Sequence, residues 1–203
     1  VSALLYRVVR RAAKETGKQV RLNLTGGTVE LDRSVLDRMA PAFEHLLRNA
    51  VVHGIEVPNL REALGKDSAG AIEVSLRQIG NEVRVEVRDD GAGLDLPRIA
   101  ERARASGLLD DSSRPTEADL ANMIFRPGFT TADEVTELAG RGVGMDVVRA
   151  EVTAMGGRIE VSSRPGAGSV FGFTLSFPLA PNMPLPVHDS DFGSLDAGAA
   201  FAQ

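Results

Sequence analysis

The sequence predicts a protein of the α/β class, in which helices and strands alternate along one chain. Some segments place apolar residues three and four positions apart, and others place them at every second position. Glycine pairs and a Gly-Asn step separate some of these segments, as is typical of chain reversals. The chain has 203 residues, of which 43% are hydrophobic, so it is long enough to bury a core.

The composition excludes several functional classes. There is no cysteine, which excludes disulfides, thiolate metal sites and cysteine nucleophiles. The net charge of −5 and an aromatic content of 4% argue against nucleic acid as a partner. No apolar run reaches the roughly 20 residues of a membrane helix, and no signal-peptide layout is visible, so we expect no membrane insertion and a cytoplasmic location.

The first elements are two helices and a strand. A helical period predicts a basic amphipathic helix over residues 3–15, which Gly17 ends. Alternation over residues 19–24 predicts a strand. A long helix is expected from Asp32 or Ser34 to about position 52.

Pro41 lies inside that long helix and predicts a kink or a later start. The polar stretch 58–70 predicts a loop. Residues 72–76 and 83–87 alternate and predict two strands, and the Gly80-Asn81 step between them predicts a tight turn.

The second half of the chain predicts three helices, a glycine-rich lid and two strands. The helices are expected at residues 97–106, 116–124 and 145–155, and the strands at 158–163 and 169–177. Residues 125–144 lose the helical period and contain four glycines, which predicts a lid. Residues 180–203 are rich in proline, glycine and alanine and predict a tail or linker without a fold of its own.

One group of polar residues lies on a single face of the long helix. His45, Asn49 and His53 are spaced by four residues, opposite the apolar stripe, with Arg48 beside them. The Asn49 amide suits a magnesium ion that shares its ligands with phosphates. A neutral His45 could accept a proton or bind a phosphate. A solvated polar helix face is the alternative.

A second motif, Asp89-x-Gly91-x-Gly93, follows directly after a strand. A carboxylate at that position could accept a hydrogen bond from an exocyclic amine, such as that of adenine. The glycines would let the backbone approach a ligand closely. The alternative is a simple turn after the strand.

Two further glycine motifs come later in the chain. Gly140-Arg-Gly142-Val143-Gly144 precedes a helix, whose N-terminal amides could bind an anion; a flexible linker is the alternative. The step from Gly166 through Gly168 to Ser169 enters the last strand and by itself indicates only a hairpin turn.

Together, the four motifs resemble the N, G1, G2 and G3 boxes of the GHKL ATPase superfamily, which contains histidine kinases, gyrase-type topoisomerases, Hsp90 and MutL. Three longer stretches resemble the catalytic domain of the CheA chemotaxis histidine kinases: HLLRNAVVHGIE (45–56), FRPGFTT (125–131) and GRGVGMDVV (140–148). The resemblance covers residues 18–179. It implies a Bergerat-type α+β sandwich with a mixed, mostly antiparallel sheet, helices on one face and an ATP lid.

The resemblance also implies roles for individual residues. Asn49 would hold Mg²⁺ against the ATP phosphates, and Asp89 would bind the adenine amino group. His45 is the catalytic candidate, because it stands where most superfamily ATPases have a water-activating Glu. The other expected ATP-binding residues are Arg48, His53, Gly91, Gly93, Arg98, Arg102, Thr130, Thr131, Gly140, Gly142, Val143, Gly144, Gly168 and Ser169.

The implied function is that of a two-component chemotaxis kinase core. Such a core transfers the γ-phosphoryl group of ATP to a His on a separate phosphotransfer domain, with a response regulator downstream. None of His45, His53 and His188 is expected to be the acceptor. The receptor and adaptor array would be reached through domains that are not in this chain.

Residues 1–17 resemble the end of the family's dimerisation helix. Since the chain begins at Val1, we expect a fragment of a longer protein, monomeric by itself although the parent dimerises.

Two departures from the family pattern keep alternatives open. Ala132 stands where the family often has Lys, and Ser169 stands where Thr is usual. A degenerate GHKL nucleotide-binding or scaffold module is one alternative, although the intact Asn49 and Asp89 argue against it. Another GHKL ATPase is a second alternative, which predicts a Glu in place of His45.

Overall fold

The computed structural model describes residues 2–26, 33–129 and 144–176, which form one mixed sheet covered by helices. The helices are α1 (Ser2–Thr16), α2 (Arg33–Asn49), α3 (Pro58–Ala63), α4 (Leu96–Ala105), α5 (Glu117–Asn122) and α6 (Met145–Ala154). The strands are β1 (Val20–Thr25), β2 (Gly70–Ile79), β3 (Glu82–Asp89), β4 (Arg158–Arg164) and β5 (Gly168–Ser176). A π-helical turn, Ala50–Gly54, extends α2, and a 3-10 turn, Met123–Phe125, follows α5.

The sheet has the order β1-β2-β3-β5-β4. Among the described strands, β1 and β2 pair in parallel, and the other three pairings are antiparallel. This confirms the prediction of a mixed, mostly antiparallel sheet. Because β3 is the central strand, its carboxyl end, where Asp89 lies, is flanked by elements from both halves of the chain.

One face of the sheet forms the core. Val74, Val87, Phe171 and Val161 pair in turn across four strands and are all buried. Helices α1, α2, α4 and α6 contribute buried side chains to the same core. On the opposite face Arg84 forms ion pairs with two glutamates and remains partly exposed. The expected one-sided cover of helices is therefore present, as period-two alternation requires.

One expectation about local structure was wrong. Residues 58–70 were expected to form a loop, but Pro58 occupies the first turn of the short helix α3. This helix is held by the buried side chain of Arg61, a tertiary contact that local patterning does not reveal.

Of the kink or later start expected at Pro41, the later start is wrong, because α2 begins at Arg33 and continues through the proline. Pro41 has no N–H group, so the carbonyl of Asp37 loses its helical hydrogen bond. Both residues lie on the exposed side, where water can replace that bond.

Most of the predicted lid, residues 130–143, and the predicted tail, residues 180–203, lie outside the described residues. Within the parts of the chain that are described, no helix has the length and apolar character needed to cross a membrane.

Candidate functional site

The candidate site is centred on Asp89, the last residue of the central strand β3. Its side chain is buried, with only 5% of the residue exposed. The amide N–H of Gly91 donates to its Oδ1 at 2.9 Å, and the backbone N–H of Ser169 also donates to the carboxylate. Burial raises the pKa of Asp89 to about 6; these two hydrogen bonds oppose that rise, and the negative charges of Asp90 and Glu56 add to it.

Close backbone contacts shape the surroundings of this carboxylate. The N–H of Ala92 donates to the carbonyl of Gly54 at 2.9 Å, which joins the end of the π-helical turn to the loop after β3. A Cβ at Gly91 would overlap the Gly54 carbonyl oxygen, and a Cβ at Gly168 would overlap the Asp89 carbonyl oxygen. Glycine is therefore required at both positions for steric reasons within the chain itself.

The structure thus brings together Asp89, Gly91, Gly168 and Ser169, which the sequence predicted for one site. Gly93 lies in the same loop at φ +76, where a Cβ would be 2.7 Å from the carbonyl oxygen of Arg164.

A network of charged side chains supports the loop after β3, and sequence reasoning missed it. The Arg61 guanidinium contacts Glu56 at 2.8 Å and Asp90 at 2.9 Å, and only 1% of the Arg61 side chain is exposed. Lys66 adds a 2.6 Å contact to Glu56 and donates to the carbonyls of Asp90 and Gly91. Charged hydrogen bonds therefore fix the backbone directly beside Asp89.

The signals for this network were weak in the sequence. Arg61 and Lys66 lay in the segment expected to be a loop, where charged residues are ordinarily solvated. Burial raises the pKa of Glu56, but hydrogen bonds and charge from Lys66 and Arg61 outweigh it, so the net shift is downward.

The polar face of α2 lies against the start of helix α6. The Asn49 side-chain nitrogen donates to the sulfur of Met145 at 3.0 Å. His45 Nδ1 lies 3.9 Å from Glu151 Oε2, again on α6. His45 and Asn49 therefore share a face, as predicted, and that face meets the helix that follows the Gly140–Gly144 motif.

Arg48 and His53 have different surroundings from those expected for phosphate contacts. Arg48 Nη1 contacts the Glu15 carboxylate of α1 at 3.1 Å. His53 is exposed, and its pKa is lowered by partial burial of the ring and by the positive charges of Lys18 and Arg48. Arg48 is therefore held by helix α1, and Lys18 lies close enough to His53 to influence its pKa.

Lys18 closes the end of α2, another role that patterning did not indicate. Its ammonium group donates to the carbonyls of Val51 and Val52 at 2.9 and 2.7 Å. These carbonyls belong to the π-helical turn, where Ile55 N–H reaches back five residues to Ala50. The lysine thus donates to two carbonyls of the π-helical turn and holds the turn that ends at Gly54.

Arg98 and Arg102 lie one turn apart on the exposed side of α4. Arg98 borders a shallow depression of about 460 Å³ that Asp95, Pro97 and Glu101 also line. The other predicted ligands, Thr130, Thr131, Gly140, Gly142 and Val143, lie outside the described residues, and Gly144 immediately precedes α6.

The described part of the chain contains no cluster of three or more His, Asp or Glu side chains able to hold a metal ion. A magnesium ion at Asn49 would therefore need its remaining ligands from phosphates and water. That donor set fits magnesium, which keeps several waters in nucleotide sites.

Residues 34–181 match a family model described as histidine kinase-, DNA gyrase B- and HSP90-like ATPase. Over 175 residues the chain is 41% identical to the chemotaxis protein CheA of Rhizobium meliloti, covering 86% of this chain and 23% of that protein. It is 42% identical over 176 residues to the gliding motility regulatory protein of Myxococcus xanthus, with coverage of 86% and 23%. The chain spans about a quarter of the length of these relatives.

The fold is similar to that of a solved nucleotide-free catalytic domain of the histidine kinase ThkA, with a TM-score of 0.51. The match covers 87% of this chain and 91% of that one at 22% identity, which shows the fold alone.

Proposed function

Because the chain belongs to the family of histidine kinase-, DNA gyrase B- and HSP90-like ATPases, we propose that it is the ATP-binding catalytic core of a CheA-type protein histidine kinase. Its reaction is transfer of the ATP γ-phosphoryl group to a His on a separate phosphotransfer domain. The observation that supports nucleotide binding most directly is the buried Asp89 carboxylate at the end of the central strand. An ionised carboxylate held by two backbone amides is a rigid acceptor for an exocyclic amine.

The phosphates would lie toward the face of α2 that carries Asn49 and His45. A magnesium ion held there by the Asn49 amide would neutralise phosphate charge. Phosphoryl transfer needs positioning and charge neutralisation more than covalent help, so an amide ligand and oriented backbone donors are sufficient protein groups. His45 replaces the water-activating Glu of other family members, which favours transfer to an acceptor over hydrolysis.

Arg98, Arg102 and the residues Thr130, Thr131 and Gly140–Gly144 complete the proposed nucleotide contacts. Arg48 and His53 belong to the proposed set as well, and nucleotide binding would have to draw Arg48 from its contact with Glu15 of α1. The proposed boundaries are residues 18–179 for the catalytic domain, 1–17 for the remainder of a dimerisation helix and 180–203 for a tail.

The proposed partners are a His-containing phosphotransfer domain, a response regulator downstream of it, and a receptor and adaptor array reached by other domains of the parent protein. We propose a cytoplasmic setting and a monomeric chain. Light scattering that gave twice the monomer mass at micromolar concentration would contradict the monomer.

Calorimetric titration with a non-hydrolysable ATP analogue tests the binding site. Wild type should bind, and Asp89→Asn should bind far more weakly. Asn49→Ala should bind with little dependence on magnesium, whereas Glu62→Ala, an exposed residue of α3, should match wild type. A folded wild-type chain that binds no nucleotide would exclude the kinase and favour a degenerate scaffold module.

Turnover is tested separately, by supplying a phosphotransfer domain together with ATP and following phosphohistidine formation. Transfer that is lost in the Asp89→Asn variant supports a kinase. Nucleotide binding with ATP hydrolysis but no transfer would instead favour another ATPase of this family.

A further inference from the structure

Glu151 of α6 has no role in the proposed function, yet its carboxylate oxygen Oε2 is buried beside the catalytic candidate His45. Their nearest atoms, Glu151 Oε2 and His45 Nδ1, are 3.9 Å apart. Among the described residues, these are the two buried side-chain polar atoms that lack a hydrogen-bond partner. Buried polar groups are nearly always hydrogen-bonded, so two such atoms facing each other indicate one interaction.

The packing of α2 against α6 holds the two residues in register. Asn49 contacts Met145 at the start of α6, and Arg38 Nη2 reaches the carbonyl of Ala154 at its end, 3.4 Å away. His45 and Glu151 lie between these two contacts, so the backbones are fixed on both sides. A hydrogen bond between the two side chains would require this 3.9 Å separation to shorten to the roughly 2.7–2.9 Å of a charged hydrogen bond.

The two nitrogens of His45 have different environments. The ring is 30% exposed, whereas Nδ1 is buried, so the exposed surface belongs to its other atoms. A carboxylate can only accept, so Nδ1 must carry the proton in this pair. In a neutral ring the lone pair then lies on Nε2.

We propose that Glu151 is a positioning residue that accepts a hydrogen bond from His45 Nδ1–H and so directs Nε2 toward the phosphate side of the site. The pairing holds in both charge states of the ring, because Nδ1 is protonated in each. The pairing explains how the His45 ring keeps one orientation. A hydrogen-bond partner on one ring nitrogen, here Nδ1, commonly fixes the direction of the other nitrogen. The catalytic consequence rests on the proposed function, whereas the pairing itself does not.

The test is the tautomer of His45 in the nucleotide-free 203-residue chain, read from imidazole ¹⁵N shifts at about pH 8, where an ordinary His is neutral. His45→Gln identifies the signals. Wild type should show a protonated Nδ1. Glu151→Gln retains an acceptor oxygen and should keep this pattern, whereas Glu151→Ala should lose it. Glu62→Ala is the matched control.

Transfer kinetics supply a second readout. Glu151→Ala should lower kcat by about 10- to 100-fold, the loss typical when the partner that orients a metal-ligating His is removed, with KM for ATP within about twofold. Glu151→Gln should recover most of kcat.

A wild-type His45 protonated on Nε2, or an unchanged tautomer and kcat in Glu151→Ala, would overturn the proposal. If Glu151→Ala does not fold, the wild-type signals decide alone. If the chain binds no ATP but Nδ1 is protonated, the proposed function fails and the pair stands.

Discussion

In the nucleotide-free protein, the charge on Asp89 should lower the free energy of unfolding, and this loss can be measured. Replacing Asp89 with Asn removes the charge at nearly constant volume. The pKa difference between 3.8 in an ordinary carboxyl and about 6 here corresponds to about 3 kcal/mol at neutral pH. The Asn variant gains this amount because it carries no buried charge. An amide, however, has only one acceptor oxygen for the N–H groups of Gly91 and Ser169, and this weaker hydrogen bonding cancels about 2 kcal/mol of the gain. Asp89→Asn should therefore be more stable than wild type by about 1 kcal/mol.

The sign of the pH dependence follows from proton binding. At pH values between the two pKa values of Asp89, the folded protein holds a proton that the unfolded chain has released. Raising the pH through this window therefore lowers the free energy of unfolding of wild type relative to the Asn variant. The difference between the two proteins should change by about 2 kcal/mol between about pH 4.5 and about pH 7.5.

Urea unfolding of both proteins at the two pH values measures this change, and carboxylates common to both proteins cancel. A difference that is independent of pH would show that Asp89 does not titrate in this window. The same variant should bind ATP about 100-fold more weakly, since hydrogen bonds to charged groups contribute about 1.5–3 kcal/mol. Unchanged ATP affinity would remove Asp89 from the adenine site.

Three further predictions concern the supports of the site. Arg61→Met should lower the free energy of unfolding by about 3 kcal/mol in urea melts. This is the low end for a broken buried ion pair, because Lys66 still contacts Glu56. Adding Glu56→Gln should recover part of the loss, and strictly additive effects of the two substitutions would contradict the pairing. Gly91→Ala should abolish analogue binding in calorimetry, because a backbone carbonyl occupies the Cβ position, and wild-type affinity would refute this. Thr116→Ala removes the α5 capping box and should cost about 1 kcal/mol without changing ATP affinity.

The sequence located most elements, because their signals are local. The hairpin of β2 and β3 was predicted from alternation and a Gly80-Asn81 turn, and Gly80 indeed has a φ of +62°. The motif at Asp89 was visible because a carboxylate and two glycines directly follow a strand. These features depend on neighbours in the chain, which a sequence displays in full.

What the sequence by itself determined is the class of fold, the positions of its helices and strands, and the residues that face one another along one helix or one turn. Only the tertiary structure decided which of those residues meet. Arg61 is buried because Glu56 and Asp90 converge on it from different elements, and Glu151 lies opposite His45 because α6 packs on α2. The physical reason is that burial and pairing depend on groups far apart in the chain. The same Arg or Glu would be solvated if those groups were absent.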